Sequence, residues 1–147
     1  MMIKETVVAD IPALQQVVRE TGLFPAEMLP DMLADAEDAV WLTCHVSDQP
    51  AGFCFAKPEM LADGVWNMLA LGVLPSRQGQ GIGNALVTAL EKKLGEEGQR
   101  ILIVDTSSTA EFAPARAFYL KAGYAQEARI RDYWAEGDDK VTFRKRL

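Results

Sequence analysis

The chain has 147 residues, a length that favours a single domain covering residues 1–147. Hydrophobic residues make up 49% and charged residues 24% of the sequence, which excludes the disordered, collagen-like and coiled-coil classes. The formal net charge of −6 argues against a protein that binds nucleic acid in general.

Three further sequence features limit where we expect the protein to be located and whether it binds a metal. The longest apolar run, Met68 to Leu74, is far short of the ~20 residues of a membrane helix. The start of the chain lacks the basic and then apolar pattern of a secretory signal. Cys44 and Cys54 match neither a disulfide scaffold nor a zinc spacing. We therefore expect a cytoplasmic protein with no metal and no membrane partner.

The first half of the chain predicts a strand, two helices and a β-hairpin. The first helix begins after the capping residue Asp10 and stops at Gly22, with Leu14, Val17 and Val18 at helical spacing. The other predicted bounds are Met2–Thr6 for the strand, Ala26–Ala36 for the second helix, and Val40–Ser47 and Ala51–Ala56 for the hairpin, with Asp48-Gln-Pro as its turn.

The second half predicts strands that alternate with helices, followed by a final hairpin. Ile82, Leu86, Leu90 and Leu94 recur at every fourth residue, which is typical of a helix. The predicted bounds are Trp66–Leu74 (a strand covered on both faces), Ile82–Leu94 (helix), Ile101–Thr106 (buried strand), Pro114–Ala122 (helix), and Tyr124–Trp134 with Lys140–Arg146 (hairpin). The whole order, β-α-α-β-β-β-α-β-α-β-β, predicts an α/β fold with a mixed sheet and helices on its faces.

A glycine-rich segment between the predicted strand 66–74 and the following helix carries the clearest functional signal. Gly79, Gly81 and Gly83 lie where the helix begins. The first N–H groups of a helix have no partner within it, and the helix dipole adds partial positive charge there. Small residues leave these groups accessible, so the segment predicts a site for phosphate oxygens. A tight turn without a ligand is the alternative interpretation.

Two other glycine motifs are excluded by spacing. The dinucleotide fingerprint G-x-G-x-x-G fails because Gly81 is followed by Ile82, Gly83 and Asn84, which weakens the hypothesis of a nucleotide-dependent oxidoreductase. The nucleoside-triphosphate loop fails because no Gly-Lys-Ser/Thr is present.

Two motifs in the right order resemble the GCN5-related N-acetyltransferase (GNAT) family. Gln78-Gly-Gln-Gly-Ile-Gly83 fits the pattern (Arg/Gln)-x-x-Gly-x-(Gly/Ala), preceded by Val-x-Pro-x-x-Arg. Ala115-Arg-Ala-Phe-Tyr-Leu-Lys-Ala-Gly-Tyr124 is similar to the family segment A-x-x-F-Y-x-x-x-G-(F/Y). The element order also matches, so the resemblance extends over essentially the whole chain and implies a single GNAT-like domain.

The resemblance implies acetyl-CoA as cosubstrate, with no metal. Its pantetheine arm is expected in a V-shaped gap between the fourth and fifth strands, 66–74 and 101–106. Backbone groups of Leu71 and Val73 would bind the arm, and the N–H of Val73 would polarise the thioester carbonyl. The remaining expected cofactor contacts are Arg77, Gln78, Gly79, Gln80, Gly81, Ile82, Gly83, Asn84, Phe118 and Tyr119.

The resemblance also implies acid–base roles, of which one can be assigned. Tyr119 is expected to protonate the departing thiolate, although simple packing beside Phe118 is the alternative. Many relatives carry a glutamate base on the fourth strand, but this chain has Asn67 there. Asn67 could hold a water, Asp132 or Glu111 could act as the base, or an amine with a lowered pKa could need none.

The acceptor side departs further from the family pattern. Phe112 replaces an asparagine that commonly contacts the cofactor. The final hairpin, which contains Tyr133 and Trp134, is similar to a segment of protein N-terminal acetyltransferases that lines the entrance for a peptide amino terminus. Asn67, Tyr133 and Trp134 are therefore the expected acceptor-binding residues, and a solvated turn is the alternative interpretation of the hairpin.

Three hypotheses about function follow, of which the oxidoreductase is the weakest. The chain is an N-acetyltransferase that acts on a small amine, an amino acid or a protein N-terminus, or it is a sensor that binds acyl-CoA without turnover. A homodimer is also compatible with the resemblance.

The charge distribution favours a cationic acceptor. The segment from Glu20 to Ser76 contains nine acidic residues and a single basic one, Lys57. The rest of the chain from Arg77 onward is slightly basic. The resemblance implies that the first two helices and the last hairpin frame the acceptor entrance, and the acidic segment includes the second of these helices. Acidic charge at that entrance would raise the local concentration of an amine.

Overall fold

A computed structural model describes residues 1–35 and 37–147. It contains a seven-stranded sheet in the order β1-β2-β3-β4-β5-β7-β6. The pair β4–β5 is parallel, and the other neighbouring pairs are antiparallel. The predicted element order and the mixed α/β sheet are confirmed.

The bounds of the elements lie close to the predicted ones. The strands are β1 (Met2–Glu5), β2 (Val40–Val46), β3 (Gln49–Pro58), β4 (Val65–Val73), β5 (Ile101–Ser107), β6 (Ala125–Ala135) and β7 (Asp138–Arg146). The helices are α1 (Ile11–Thr21), α2 (Leu29–Ala34), α3 (Ile82–Glu96) and α4 (Ala113–Lys121). A 3₁₀ turn, Ala26–Met28, precedes α2, and the end of the predicted helix 26–36 lies outside the described residues.

The turn of the first hairpin differs from the prediction. Ser47 and Asp48 both have positive φ, 52° and 63°, and β3 already begins at Gln49. Two-residue hairpin turns favour positive φ at both central residues, because the resulting twist matches that of the flanking strands. The predicted turn Asp48-Gln-Pro was therefore placed too late in the chain.

Helices cover the two faces of the sheet unequally. On one face, α1 and α2 pack over β2, β3 and part of β4, around the buried side chains of Leu14, Phe53 and Phe55. On the other face, α3 and α4 pack over a larger cluster that includes Leu86 and Phe143. Residues of β5 alternate between buried and half-buried, so the prediction of a fully buried fifth strand was wrong.

The central strands β4 and β5 pair only at their beginnings. Within these two fully described strands, the pairs are Val65 with Ile101, Trp66 with Leu102, and Asn67 with Ile103. Beyond these pairs β4 continues to Val73 and β5 to Ser107. The fourth strand also contains a bulge that leaves Leu69 54% exposed, so it is not covered on both faces throughout as expected.

None of the described helices has the length and apolar character needed to cross a membrane.

Candidate active site

The glycine-rich segment leads from β4 into α3. Gly81 is the residue before the helix and has a φ of 82°, a conformation that costs other residues energy. The N–H of Ala85 donates to the carbonyl of Gly81 at 3.0 Å, so the N–H groups of the first turn before it lack helical partners. The segment therefore places free backbone donors at the beginning of a fifteen-residue helix.

A cavity of about 780 Å³ lies between this segment and α4. It is bounded by most of the residues predicted to bind the cofactor: Leu71, Val73, Arg77, Gln78, Gly79, Gly81, Ile82, Gly83, Asn84, Phe118 and Tyr119. Gln80 is exposed and lies outside this lining. Gln80 is thus not among the residues that bound the cavity, although its neighbours Gly79 and Gly81 are.

Sequence reasoning missed four residues that also line the cavity, namely Pro114, Ala115, Lys121 and Ala122. All four lie on or next to α4, within or beside the second motif, which could have identified them. Lys121 is the most informative of them, because it adds a second cation to the cavity beside Arg77. Two cations are suited to a ligand with several phosphate groups.

Backbone groups of Leu71 and Val73 face the gap between β4 and β5. The N–H of Leu74 donates to the carbonyl of Ala51 in β3 at 2.9 Å. Backbone groups alternate in direction along a strand, so those of Val73 and Leu71 point away from β3. The Gln78 side chain donates to the Val73 carbonyl at 3.3 Å, which agrees with this direction.

Tyr119 lies on α4 and belongs to the buried core of the sheet face that α3 and α4 cover. The side chain is 6% exposed and lines the cavity. Its ring contacts those of Phe118, Tyr124 and Phe143, with centroid distances of 5.2 to 5.8 Å. Burial raises the pKa of Tyr119 above its usual value, so the phenol stays protonated and can donate a hydrogen bond.

The neighbour Tyr124 is anchored by charged groups. Its hydroxyl donates to Glu91 Oε2 at 2.6 Å, and Lys145 Nζ donates to Glu91 Oε1 at 3.0 Å. Burial, followed by the hydrogen bond to the Glu91 carboxylate, raises the pKa of Tyr124. This network joins α3, the end of α4 and β7, and it fixes one wall of aromatic rings around Tyr119.

A polar cluster occupies the opposite face of the sheet, where β4 and β5 begin to separate. Asn67 is 9% exposed, and its Nδ2 donates to Glu59 Oε1 at 2.9 Å and to Asp105 Oδ2 at 3.2 Å. The Thr142 hydroxyl donates to Asp105 Oδ1 at 2.6 Å, and Lys140 Nζ lies 3.7 Å from Asp105 Oδ2. Asn67 thus holds two carboxylates together.

The two faces meet at the gap. Successive side chains of a strand point to opposite faces, and Val104 lies in the same core cluster as Tyr119. Asp105 therefore projects to the other face of β5, two positions after Ile103, the last residue paired with β4. A phenol on one face and a carboxylate on the other thus flank the gap.

The final hairpin forms a wall beside the polar cluster. Trp134 Nε1 donates to the Thr106 carbonyl at 3.1 Å, which ties the hairpin to the end of β5. The Lys140 ammonium lies 4.5 Å from the centroid of the Tyr133 ring. Tyr133 and Trp134 are 50% and 48% exposed, so both rings have surface available to a ligand.

The structure gives Asp132 and Glu111 surroundings unlike those of Asp105. Asp132 Oδ1 accepts the N–H of Gly137 within the hairpin turn. Glu111 and Phe112 are exposed in the short turn before α4. Sequence reasoning named these two acidic residues and missed Asp105 and Glu59; a carboxylate inside a predicted strand, at Asp105, was the available signal.

His45, Cys44 and Cys54 have surroundings typical of residues that stabilise the fold. His45 Nε2 lies 3.3 Å from Asp10 Oδ1. Cys44 and Cys54 are free and fully buried, as predicted for small apolar groups, and burial raises the pKa of Cys54 to about 12. Among the described residues, no group of three or more histidine, cysteine, aspartate or glutamate side chains is placed to hold a metal ion.

Comparison with known proteins gives one family match. The model of the acetyltransferase (GNAT) family matches residues 10–124. The chain is also 31% identical over 141 residues to aminoglycoside N(6')-acetyltransferase type 1 of Stenotrophomonas maltophilia, a match that covers 87% of this chain and 88% of that protein.

Solved structures share the fold over nearly the whole chain. A GNAT-family protein from Desulfovibrio desulfuricans superposes with a TM-score of 0.90 at 26% identity, covering 99% of this chain and 98% of the other. The ribosomal-protein-S18-alanine N-acetyltransferase from Escherichia coli superposes with a TM-score of 0.83 at 19% identity, covering 99% and 93%. The second likeness is one of fold alone.

Proposed function

Since this chain belongs to the acetyltransferase (GNAT) family and is an acetyl-CoA-dependent N-acetyltransferase, we propose that a positively charged primary amine attacks the thioester directly. The observation that carries this proposal is the gap between β4 and β5. It is flanked by Tyr119 on one face of the sheet and by Asp105 on the other.

We assign the cavity beside α3 to the coenzyme. Free N–H groups at the start of α3 would bind the pyrophosphate, and Arg77 and Lys121 would add positive charge. The N–H groups of Leu71 and Val73, which point into the gap, would align the pantetheine arm. The N–H of Val73 would then stabilise the negative oxygen that develops on the thioester carbonyl.

Tyr119 is the proposed proton donor to the leaving sulfur. The sulfur leaves as a thiolate, whose usual pKa is about 8.5 in cysteine. The raised pKa of Tyr119 keeps its proton in place until the thiolate forms. The aromatic wall of Phe118, Tyr124 and Phe143 would hold the ring in one orientation.

Asp105 is the proposed base, in place of the glutamate that many relatives carry on the fourth strand. Thr142 and Asn67 each donate a hydrogen bond to one of its oxygens, which fixes the carboxylate in orientation. We assign to Asn67 the positioning of Asp105 rather than a contact with the reacting atoms. The second carboxylate on Asn67, Glu59, adds negative charge that favours a cationic acceptor.

The proposed reaction balances in protons and bonds. The acceptor ammonium first gives a proton to Asp105 or to a water held by it, and the neutral amine attacks the carbonyl carbon. A C–N bond forms and the C–S bond breaks. The new amide nitrogen loses a second proton to solvent, and the thiolate receives one from Tyr119. Asp105 then releases its proton to solvent and Tyr119 takes one up, so the net reaction releases one proton for each amide formed from an ammonium.

The acceptor class follows from the chemistry of the polar cluster. The cluster holds two carboxylates on one amide, and these are suited to a positively charged amine. The half-exposed rings of Tyr133 and Trp134 lie beside them and are suited to an amine that also has some apolar surface. The relative from S. maltophilia is named for aminoglycosides, so an amino sugar is the first acceptor to test. A peptide amino terminus is the second.

The test is acetyl transfer with purified protein. The protein is incubated with acetyl-CoA and, separately, with an aminoglycoside, a linear polyamine and a peptide with a free amino terminus. Release of the CoA thiol and the mass of the acetylated product are both measured. We expect turnover with at least one cationic amine, and faster turnover than with a neutral amine of similar size.

The same experiment separates an enzyme from an acyl-CoA sensor. Tight binding of acetyl-CoA with no product across the whole panel would favour the sensor and contradict the proposal. The sensor hypothesis drew its support from the missing glutamate of β4. Asp105, held at the gap by two hydrogen bonds, offers a carboxylate for that role.

A further inference from the structure

We propose that Lys140 is a self-acetylation site, at which a side-chain amine of the chain itself accepts the acetyl group in place of an external amine. The inference rests on the proposed function, because the same base and the same proton donor would serve both acceptors. It depends on where β7 places the Lys140 ammonium and on the groups that surround it.

The register of the sheet directs Lys140 towards the proposed base. Lys140 lies in β7 opposite Ser107 of β5. Two positions further along, Thr142 lies opposite Asp105, to which its hydroxyl donates a hydrogen bond. Side chains two positions apart in a strand share a face. Lys140 therefore projects to the face of the sheet on which Asp105 flanks the gap.

The Lys140 ammonium lies among the groups that we assign to an acceptor amine. Its Nζ lies 3.7 Å from Asp105 Oδ2 and 4.5 Å from the centroid of the Tyr133 ring. The side chains of Lys140 and Asp105 are 21% and 16% exposed, so the ion pair is largely shielded from water. A carboxylate base and an aromatic ring are also the groups proposed to receive the external amine.

The ion pair holds the ammonium near the base without fixing it there. A separation of 3.7 Å is longer than a hydrogen bond between nitrogen and oxygen, which is about 2.7–3.2 Å. The four-carbon stem of lysine is flexible, so the amine can move towards the gap once it has given up a proton. Lys140 thus combines proximity to the base with freedom to attack.

The other lysines have surroundings of a different kind. Three of them form ion pairs with glutamates that the proposed function does not use, namely Lys92, Lys93 and Lys145. Lys121 lines the coenzyme cavity, where the phosphates would hold it. Lys57 is exposed, and its Nζ lies 5.7 Å from the centroid of the Phe55 ring. Selective transfer to Lys140 follows from these differences.

The proposed step balances in bonds and protons. The Lys140 ammonium gives one proton to Asp105, and the neutral Nζ attacks the carbonyl carbon of acetyl-CoA. A C–N bond forms, the C–S bond breaks, and the thiolate takes a proton from Tyr119. The amide nitrogen releases its second proton to solvent. Asp105 then releases its proton and Tyr119 takes one up, so acetyl-lysine and the free coenzyme form with net release of one proton.

Acetylation would change the acceptor side of the gap. It removes the positive charge of the lysine, which ends the ion pair with Asp105, and it adds a bulky group beside Tyr133. We therefore expect the acetylated protein to turn over external amines more slowly than the unmodified protein does.

The experiment follows an isotopic label into the protein. Purified protein is incubated with labelled acetyl-CoA and no external amine, intact mass counts the acetyl groups, and peptide mapping locates them. We expect one acetyl group, on Lys140, at a rate constant that does not depend on protein concentration, because transfer occurs within one chain. Unlabelled acetyl groups carried over from expression are mapped and scored in the same way.

Three results would overturn the proposal. They are the absence of acetyl on Lys140, acetyl spread evenly over the exposed lysines, and a rate constant that rises in proportion to protein concentration, which would mean transfer between chains.

A lysine exchange tests the site. Lys140→Arg keeps the positive charge but removes the acceptor amine, so the label is expected to be lost. Lys57→Arg, the same exchange at an exposed lysine of β3, is the matched control and is expected to keep the label. Labelling of Lys140→Arg at the unmodified level, or loss of label in Lys57→Arg, would contradict the assignment.

Two further variants separate catalysed from spontaneous acetylation. Asp105→Asn removes the base and Tyr119→Phe removes the proton donor, so each is expected to slow the labelling of Lys140 by roughly 10²-fold. Spontaneous transfer to an accessible lysine needs neither group, and an unchanged rate in either variant would contradict the proposal. Circular dichroism and acetyl-CoA binding show that each variant is folded.

The panel of external amines distinguishes this inference from the proposed function. Turnover of a panel amine with no acetyl on Lys140 would overturn self-acetylation alone. Neither turnover nor label, with acetyl-CoA bound, would contradict both. Label on Lys140 without turnover of any panel amine would support self-acetylation and contradict the proposed class of external acceptor.

Discussion

The coenzyme side and the acceptor side of the gap are built in different ways. The coenzyme cavity is formed by a local stretch, from Arg77 to Asn84, together with one face of α4. The acceptor side depends on side chains from five separate strands or their connections, among them Glu59, Asn67 and Asp105. The first uses backbone groups at a helix start, and the second uses side-chain chemistry.

This difference explains why one side resembles relatives and the other departs from them. A backbone cradle for phosphates needs small residues at set positions, so its sequence pattern can be recognised. A carboxylate that acts on an amine can come from any strand that reaches the gap. Here β4 has Asn67, and the carboxylate is on β5.

The largest effect is expected on the acceptor side, from Asp105→Asn. Loss of a general base typically lowers the rate by about 10²–10⁴-fold, so we expect kcat/KM for the amine to fall by roughly 10²-fold or more. The affinity for acetyl-CoA, measured by calorimetry, is expected to stay unchanged because Asp105 lies outside the coenzyme cavity.

Glu111→Gln is the matched control for Asp105→Asn. It also exchanges a carboxylate for an amide, but at an exposed residue of the turn before α4. If Glu111→Gln lowers kcat/KM as much as Asp105→Asn does, the assignment of the base is wrong.

The second largest effect is expected from Tyr119→Phe, which removes the proposed proton donor and keeps the ring. We expect kcat to fall by about 10²-fold, the lower end of the range for acid–base groups. Since burial raises the pKa of Tyr119, its proton is present at all pH values up to 10. The kcat of the unmodified enzyme should therefore show no decline from Tyr119 between pH 7 and pH 10.

Stopped-flow measurement of thiol release over this pH range checks the prediction. The assignment would be wrong if kcat declined with an apparent pKa near 9 and this decline were absent in Tyr119→Phe. The Tyr119 hydroxyl would then lose its proton at too low a pH to act as the proton donor. Phe118→Leu is the control for packing. It loosens the aromatic wall but keeps the Tyr119 hydroxyl, so it separates the effect of looser packing from the effect of losing the proton donor.

A smaller effect is expected on the coenzyme side, from Gly81→Val. The left-handed conformation of Gly81, with a φ of 82°, costs other residues roughly 1–2 kcal/mol. A change of 1.4 kcal/mol corresponds to tenfold in affinity, so the Kd for acetyl-CoA should rise about tenfold. Calorimetric titration measures it directly.

Gly95→Ala is the control for a glycine exchange in α3. Gly95 lies inside the helix with open space around an added Cβ, so alanine should leave the Kd unchanged and raise stability by about 0.5–1 kcal/mol. Equal Kd values for Gly81→Val and the unmodified chain would mean that the start of α3 does not bind the phosphates.

The smallest effect is expected from the acidic surface of the first half. Charge reversal of Asp31, Asp35 and Asp38, all exposed, should raise KM for a cationic acceptor a few-fold at low salt, because long-range attraction concentrates the amine. The effect should fade near 0.15 M salt, where the screening length is ~8 Å. Reversal of the exposed Glu96 on α3 is the control; if KM responds equally there, α2 has no special role.

Much of the fold could be predicted because it depends on local patterns. The spacing of Ile82, Leu86, Leu90 and Leu94 predicted α3, and all four are buried in the core. The first hairpin turn was misplaced, because the turn uses positive φ at Ser47 and Asp48. That conformation is decided by the twist of the paired strands, which residue type alone does not specify.

The same distinction between local patterns and contacts of distant residues applies to the candidate active site. Sequence alone determined the glycine cradle, the second motif with Tyr119, and the family, because these depend on residues close together in the chain. Only the tertiary structure decided which carboxylate stands at the gap. Asp105 meets Asn67 across 38 positions of sequence and Thr142 across 37, through the pairing of β5 with its neighbours. Strand register sets such contacts, and register arises when the whole sheet assembles.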